Sequence, residues 1–130
     1  MSIVLKVFMI ICIGVAALHA SFLEEESARA IKEKKLILLN IETQECPYCA
    51  KMKKEIFNNP QYKKEINKKF VFVSLHQNDP SLPMDLRTPY VPANAIIVPS
   101  TKVIVDAYTG YIEPTRFMKI LEDAYKEGFK

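Results

Sequence analysis

Few of the 130 residues carry groups able to do chemistry, and two that can stand together: Cys46 and Cys49, in the stretch ECPYCAKM from Glu45 to Met52. Two thiols at this spacing can act as a reactive dithiol, as half of a metal clasp, or as a structural staple. A tetrahedral metal site needs two more ligands. The third cysteine, Cys12, and one of the two histidines lie in the first twenty residues, which leaves His76 and otherwise only carboxylates. A staple closing so short a loop restrains the unfolded chain little. The choice turns on where the pair sits in the fold.

The elements around it alternate between helix and strand. Ser21 to Lys35 sets Leu23, Ala30 and Ile31 at helical spacing, with Glu24, Glu25 and Glu26 at the start and Lys32, Lys34 and Lys35 at the end, an order that suits a helix dipole. Leu36 to Ile41 (LILLNI) is a nearly unbroken apolar run, as expected of a strand buried on both faces of a sheet. Pro47 is tolerated only in the first turn of a helix, so Cys46 falls on the boundary of a helix reaching about Phe57, with Met52, Ile56 and Phe57 inward. Asn58-Asn59-Pro60 ends it and caps a second helix, Pro60 to Lys68, with Tyr62 and Ile66 inward.

Phe70 to Leu75 (FVFVSL) reads as the next strand. The seventeen residues from His76 to Pro92 then hold four prolines and no periodicity, a long irregular connection of the kind that is often functional. Ala95 to Val98 and Lys102 to Asp106 read as a hairpin joined at Pro99-Ser100-Thr101. A last helix from Pro114 places Phe117, Ile120, Leu121, Ala124 and Tyr125 on one face before Gly128.

About half of the residues are hydrophobic and a quarter charged, the balance of one globular domain, here residues 21–130. The net charge of +3, spread over lysines and glutamates on helix faces, demands neither nucleic acid nor an anionic membrane. Residues 1–20 differ from the rest: Val7 to Leu18 (VFMIICIGVAAL) is apolar and Leu18-His19-Ala20 fits a cleavage site, the pattern of a secretory signal peptide, with an uncleaved anchor as the alternative. Removal of this segment leaves Cys46 and Cys49 as the only cysteines. In an oxidising compartment they pair with each other or stay free and reactive.

A strand feeding directly into Cys-X-X-Cys at a helix start is the context in which this motif becomes redox chemistry. Unpaired backbone N–H groups there stabilise a thiolate at Cys46, while the negative Glu45 beside it opposes one. Cys49, a turn further on and deeper, is placed to resolve a mixed disulfide.

From about Glu24 to Lys126 the chain resembles the thioredoxin-fold proteins, in particular exported bacterial ones with an extra helix before the first strand. The residues that carry the resemblance are LILLNI followed by CPYC, KMKKEIFNNPQYKKEINKKFVFV, VPANAIIV and GYIEPTRFMKIL. It implies an α/β thioredoxin fold with a central mixed sheet flanked by helices, no bound cofactor or metal, and a Cys46–Cys49 disulfide exchanged with protein partners. It implies a cis peptide bond before Pro92, with Val91 offering backbone to an extended partner, Gly110 letting that partner approach, and Tyr48 covering the pair.

Asn40 stands where the family has a buried Asp, Glu42 is the substitute nearest to it, and NDPSLPMDLRTPY replaces a helix and is expected to shape partner choice. The implied activity is that of a periplasmic thiol–disulfide oxidoreductase, leaning toward reduction, served by a membrane electron donor or acceptor. The alternatives are a thioredoxin-fold binding module with a passive disulfide and a glutaredoxin-like enzyme. Glutaredoxins share CPYC, but the expected Gly-Gly pair is absent and Tyr90 stands where they have Thr.

Overall fold

The computed structural model describes residues 22–129; the expected signal segment, residues 1–20, and Cys12 within it lie outside them. The first helix, α1 (Phe22–Glu33), buries Leu23, Ser27 and Ala30. Ile31, expected inward, is 53% exposed, because the buried stripe runs through Ser27 and Ala30 and leaves Ile31 off to one side. Lys34, at a positive φ of 56°, ends the helix, with the Lys35 N–H donating to Ala30 O at 2.9 Å.

Strand β1 (Leu36–Glu42) follows at once and becomes the centre of the sheet. Helix α2 (Pro47–Met52), a π-helical turn (Lys53–Phe57) and α3 (Pro60–Lys69) then carry the chain to β2 (Phe70–His76), which is parallel to β1 from Leu36↔Phe70 to Glu42↔His76. A loop with one 3-10 turn (Met84–Leu86) leads to β3 (Ala93–Ile97), antiparallel to β1 on its other side. Strand β4 (Ile104–Thr109) and α4 (Pro114–Gly128) complete the sheet order β2-β1-β3-β4. This is the mixed sheet with flanking helices and an additional first helix that the resemblance implies.

Alternation along the strands divides the core in two. Ile37, Leu39 and Ile41 face α1 together with Val71, Ala93, Ala95 and Ile97, and Leu82 and Leu86 of the irregular loop cover the same side. Leu36 and Leu38 face the other helices with Met52, Ile56, Phe57, Ile66, Phe117 and Leu121. Both faces of β1 are covered, which is why its run is apolar except at Asn40 and the terminal Glu42.

Two boundaries differ from expectation. The hairpin lies at Ala93–Ile97 and Ile104–Thr109, because Lys102, at φ 59°, extends the turn and β3 and β4 shift register between Ile96 and Ile97. Helix α4 runs through Gly128, where a Cβ would come within 2.7 Å of a Leu36 methyl carbon; the missing side chain lets the last turn lie on the sheet.

Phe117 is fully buried, with its ring edge-on to Phe57 at 5.7 Å between centroids, so it joins α4 to the helical layer that carries the cysteines. Phe117→Ala removes about 3–5 kcal/mol. In urea titration this appears as a lower midpoint with an unchanged slope; a loss below about 1 kcal/mol would mean that the layer repacks freely.

Candidate functional site

β1 delivers the cysteines. After Glu42 the chain crosses Thr43, Gln44 and Glu45 and turns into α2 with Pro47 in its first turn, making Cys46 the N-cap in extended conformation. The pair is closed as a disulfide with 5.2 Å between Cα atoms. The Cys49 N–H donates to Cys46 Sγ at 3.1 Å, so a backbone donor already points at the sulfur that would become a thiolate. Cys46 is partly accessible, whereas Cys49 is 3% exposed. The asymmetry between an outer and an inner sulfur, anticipated from the motif, is therefore present.

Beneath α2 the sheet carries a polar row. Ser74, Asn40 and Asn94 are register partners on β2, β1 and β3. Ser74 Oγ donates to Asn40 Oδ1 and Asn40 Nδ2 donates to Asn94 Oδ1, each at 3.0 Å. None of the three titrates, so this row passes no proton to or from the cysteines.

Glu42 is two residues nearer the end of β1, in a cleft of about 430 Å³ that it shares with Cys46, Cys49, Lys53, Ser74 and His76. Lys53 Nζ holds its carboxylate at 3.0 Å. His76 ends β2 directly across from Glu42, and its Nδ1 accepts the Asn78 N–H at 3.1 Å, which leaves Nε2 to carry the proton of the neutral ring.

The remaining expected residues frame the other side. The Val91–Pro92 peptide bond is cis. Pro92 is buried, Val91 is half-buried, and the Ile41↔Ala93 register puts both next to the end of β1 from which the chain leaves for Cys46. Gly110, at φ 92°, donates its N–H to Pro92 O at 2.8 Å; a Cβ there would touch nothing within 4 Å, which leaves open space above this backbone. Tyr48 is 61% exposed, with its ring 6.1 Å from that of Tyr111. Among the described residues no group of three or more histidine, cysteine or carboxylate side chains could share an ion.

Sequence reasoning missed Tyr111, whose hydroxyl donates to the Glu55 carboxylate and whose ring lies 4.4 Å beneath Lys51 Nζ. This contact ties the loop after Gly110 to the helical segment that follows the cysteines, across 56 residues of chain. It also missed Lys53, although four residues after Cys49 is one helical turn and therefore the same face.

An outer cysteine at a helix cap, an inner one behind it and a cis proline at the head of the neighbouring strand define a redox fold built around a Cys-X-X-Cys pair. The chain belongs to the thioredoxin-like family, whose domain model matches residues 23–125. It is similar to a thioredoxin from Thermus thermophilus, with a TM-score of 0.69 and 23% identity over 80% of this chain and 84% of that one. The periplasmic thioredoxin SoxS from Paracoccus pantotrophus matches with a TM-score of 0.56 and 24% identity, covering 71% of this chain and 97% of its own. The C-terminal domain of DsbD from Neisseria meningitidis in its oxidised form matches at 0.60 and 14%, over 77% and 90%. At these identities the likenesses show the fold. No curated protein sequence matches the chain.

The hydrogen bond to Glu55, with burial second, pushes the Tyr111 phenol from 10.0 up to about 12; burial first and then Asp106 push Tyr108 to about 12 as well. A raised folded-state pKa contributes stability that is complete below the ordinary value and is lost as pH climbs from about 10 to about 12. Titration of phenolate absorbance should show two tyrosines ionising near pH 12, and Glu55→Gln should bring one of them back toward its ordinary value. An unchanged curve in that variant would remove Glu55 as the cause.

Proposed function

We propose that the chain is an exported thiol–disulfide oxidoreductase acting on protein partners, more suited to reduction than to oxidation. The observation that carries this reading is the unequal pair: Cys46 Sγ is partly open and faces a backbone N–H, while Cys49 lies 3% exposed behind it. A passive staple gains nothing from that arrangement. Export is supported by the signal-like residues 1–20 and by the similarity to a periplasmic thioredoxin.

In the reducing direction the Cys46 thiolate attacks a partner disulfide; one partner sulfur leaves as a thiolate and takes up a proton. Cys49 gives its proton to Glu42 through the shared cleft and attacks Cys46 Sγ; the second partner sulfur is displaced as a thiolate and takes up a proton in turn, and Glu42 returns its own to water. The partner gains two electrons and two protons, and the Cys46–Cys49 disulfide is left behind. A membrane dithiol donor restores the pair. Val91 aligns an extended partner segment beside Cys46, Pro92 and Gly110 shape the floor beneath it, and Tyr48 flanks it.

Cys49→Ala should accumulate mixed disulfides through Cys46, visible as complexes that a reductant releases, and Cys46→Ala should accumulate none. Glu42→Gln should leave formation of the mixed disulfide intact and slow its resolution by about a hundredfold, the lower range for a positioned proton acceptor. Equilibration against a thiol buffer then gives direction: a potential near roughly −270 mV fits a reductant and one near about −120 mV an oxidant. If the folded protein does not exchange at all, the binding module is the better account.

A further inference from the structure

Besides the cleft with Glu42, one more segment closes on the helix that carries the cysteines: residues 110–113, which join β4 to α4. Both ends of this segment are fixed. Gly110 donates its N–H to Pro92 O at 2.8 Å, and Glu113 caps α4 by accepting the Thr115 and Arg116 N–H groups. Between them, Tyr111 reaches the helical layer at three points. Its hydroxyl donates to the Glu55 carboxylate, its ring lies 4.4 Å from Lys51 Nζ, and its ring centroid is 6.1 Å from that of Tyr48.

Lys51 and Glu55 stand one turn apart with opposite charges, a spacing at which such side chains can pair with each other. Each is turned to Tyr111 instead. Glu55 also lies in the π-helical turn, a device frequent at functional sites. Helix α4 does not need this contact to stay in place, because Phe117 is fully buried in the core and Glu113 completes the helix start. What the contact adds is a fixed span over the site, from Glu55 through Tyr111 and Gly110 to Pro92 O. Tyr48, next to Cys49 in the chain, stands at one margin of that span, and Val91, next to Pro92, stands at the other.

We infer that Tyr111 is a positioning residue of the exchange: by tying the Gly110 and Pro92 backbone to the helical layer through Glu55, it sets where an extended partner chain lies relative to Cys46. The inference rests on the exchange activity proposed above and adds a requirement to it. Tyr111 acts through the backbone it holds and not on the sulfurs. A partner with backbone on both sides of its reacting sulfur is aligned by the span, whereas a small disulfide has nothing to align. A misplacement of about 1 Å can cost about a hundredfold in rate, so loosening the span is felt by the first kind of partner.

The test compares two probes that carry the same leaving group, nitrothiobenzoate, on a cysteine sulfur. In one the cysteine is central in a short alanine–serine peptide; in the other it is N-acetylcysteine amide. Cys46 of the reduced protein attacks the cysteine sulfur of the probe, forming the mixed disulfide and expelling the coloured thiolate, and Cys49 then displaces the probe as a thiol. The good leaving group drives this step in whichever direction the natural reaction runs. The wild type should react at least about tenfold faster with the peptide. Tyr111→Phe, which keeps the ring, should cut that ratio about fivefold or more, and Glu55→Leu should do the same. Glu55→Gln, whose amide oxygen still accepts the phenol, should keep it. The double variant Tyr111→Phe with Glu55→Leu should fall no further than either single one, because both break one contact.

A wild type that reacts equally with both probes, a ratio unmoved by Tyr111→Phe, or additive losses in the double variant overturn the inference. So does an equal fall of both rates in Tyr111→Phe, which assigns the residue to the fold alone. Failure of the folded wild type to react with either probe is a separate result: it strikes the exchange activity itself, and the inference falls with it.

Discussion

The hydrogen bond from the Cys49 N–H to Cys46 Sγ is the contact on which the proposed exchange depends, and Pro47 sets the helix start that makes it. A proline in the first helical turn has no N–H to lose and a backbone angle already suited to the helix. With Pro47 there, Cys46 must be the cap, and a cap side chain accepts the free N–H groups behind it. The sulfur assigned the attacking role in the proposed exchange is thus placed at donors that any helix start provides. Strand β1, buried on both faces, then holds that helix start still.

The sheet solves a second problem, which is how to run polar chemistry over a dry core. Every buried polar residue among those described, Ser27, Asn40 and Asn94, is uncharged. Asn40 occupies the position beneath the cysteines where an ionised carboxylate would bear a large desolvation cost, and it is satisfied instead by bonds to Ser74 and Asn94. The charged groups lie at the strand end, where water reaches Glu42 and Lys53.

Much of this was legible in the sequence, and the reasons are local. Helix limits at Asn59-Pro60 and Pro114, the buried β1 and the position of Cys46 follow from proline geometry and hydrophobic runs, which depend on neighbours in sequence. The exposure of Ile31 and the extended turn at Lys102 did not, because the first depends on which stripe of α1 meets the sheet and the second on a left-handed lysine that no glycine marks. Tyr111 and Glu55 are 56 residues apart, and nothing in either segment announces the other.

In the proposed exchange, a carboxylate at the strand end instead of in the buried row also separates stability from turnover. A buried ionised acid ties the fold to its own proton, since each protonation change is then a change in folding free energy. With Asn40 inside and Glu42 in the cleft, the proton that the proposed exchange takes from Cys49 leaves the charge of the core unaltered. Three carboxylates are held below their ordinary range: Asp79 through hydrogen bonds from Ser81, and Glu122 and Asp123 through Lys126 and Lys119. Acid weakens the fold through those contacts, at the loop and on α4. The polar row under the cysteines stays intact through the same range, so the geometry at Cys46 persists for as long as the sheet does.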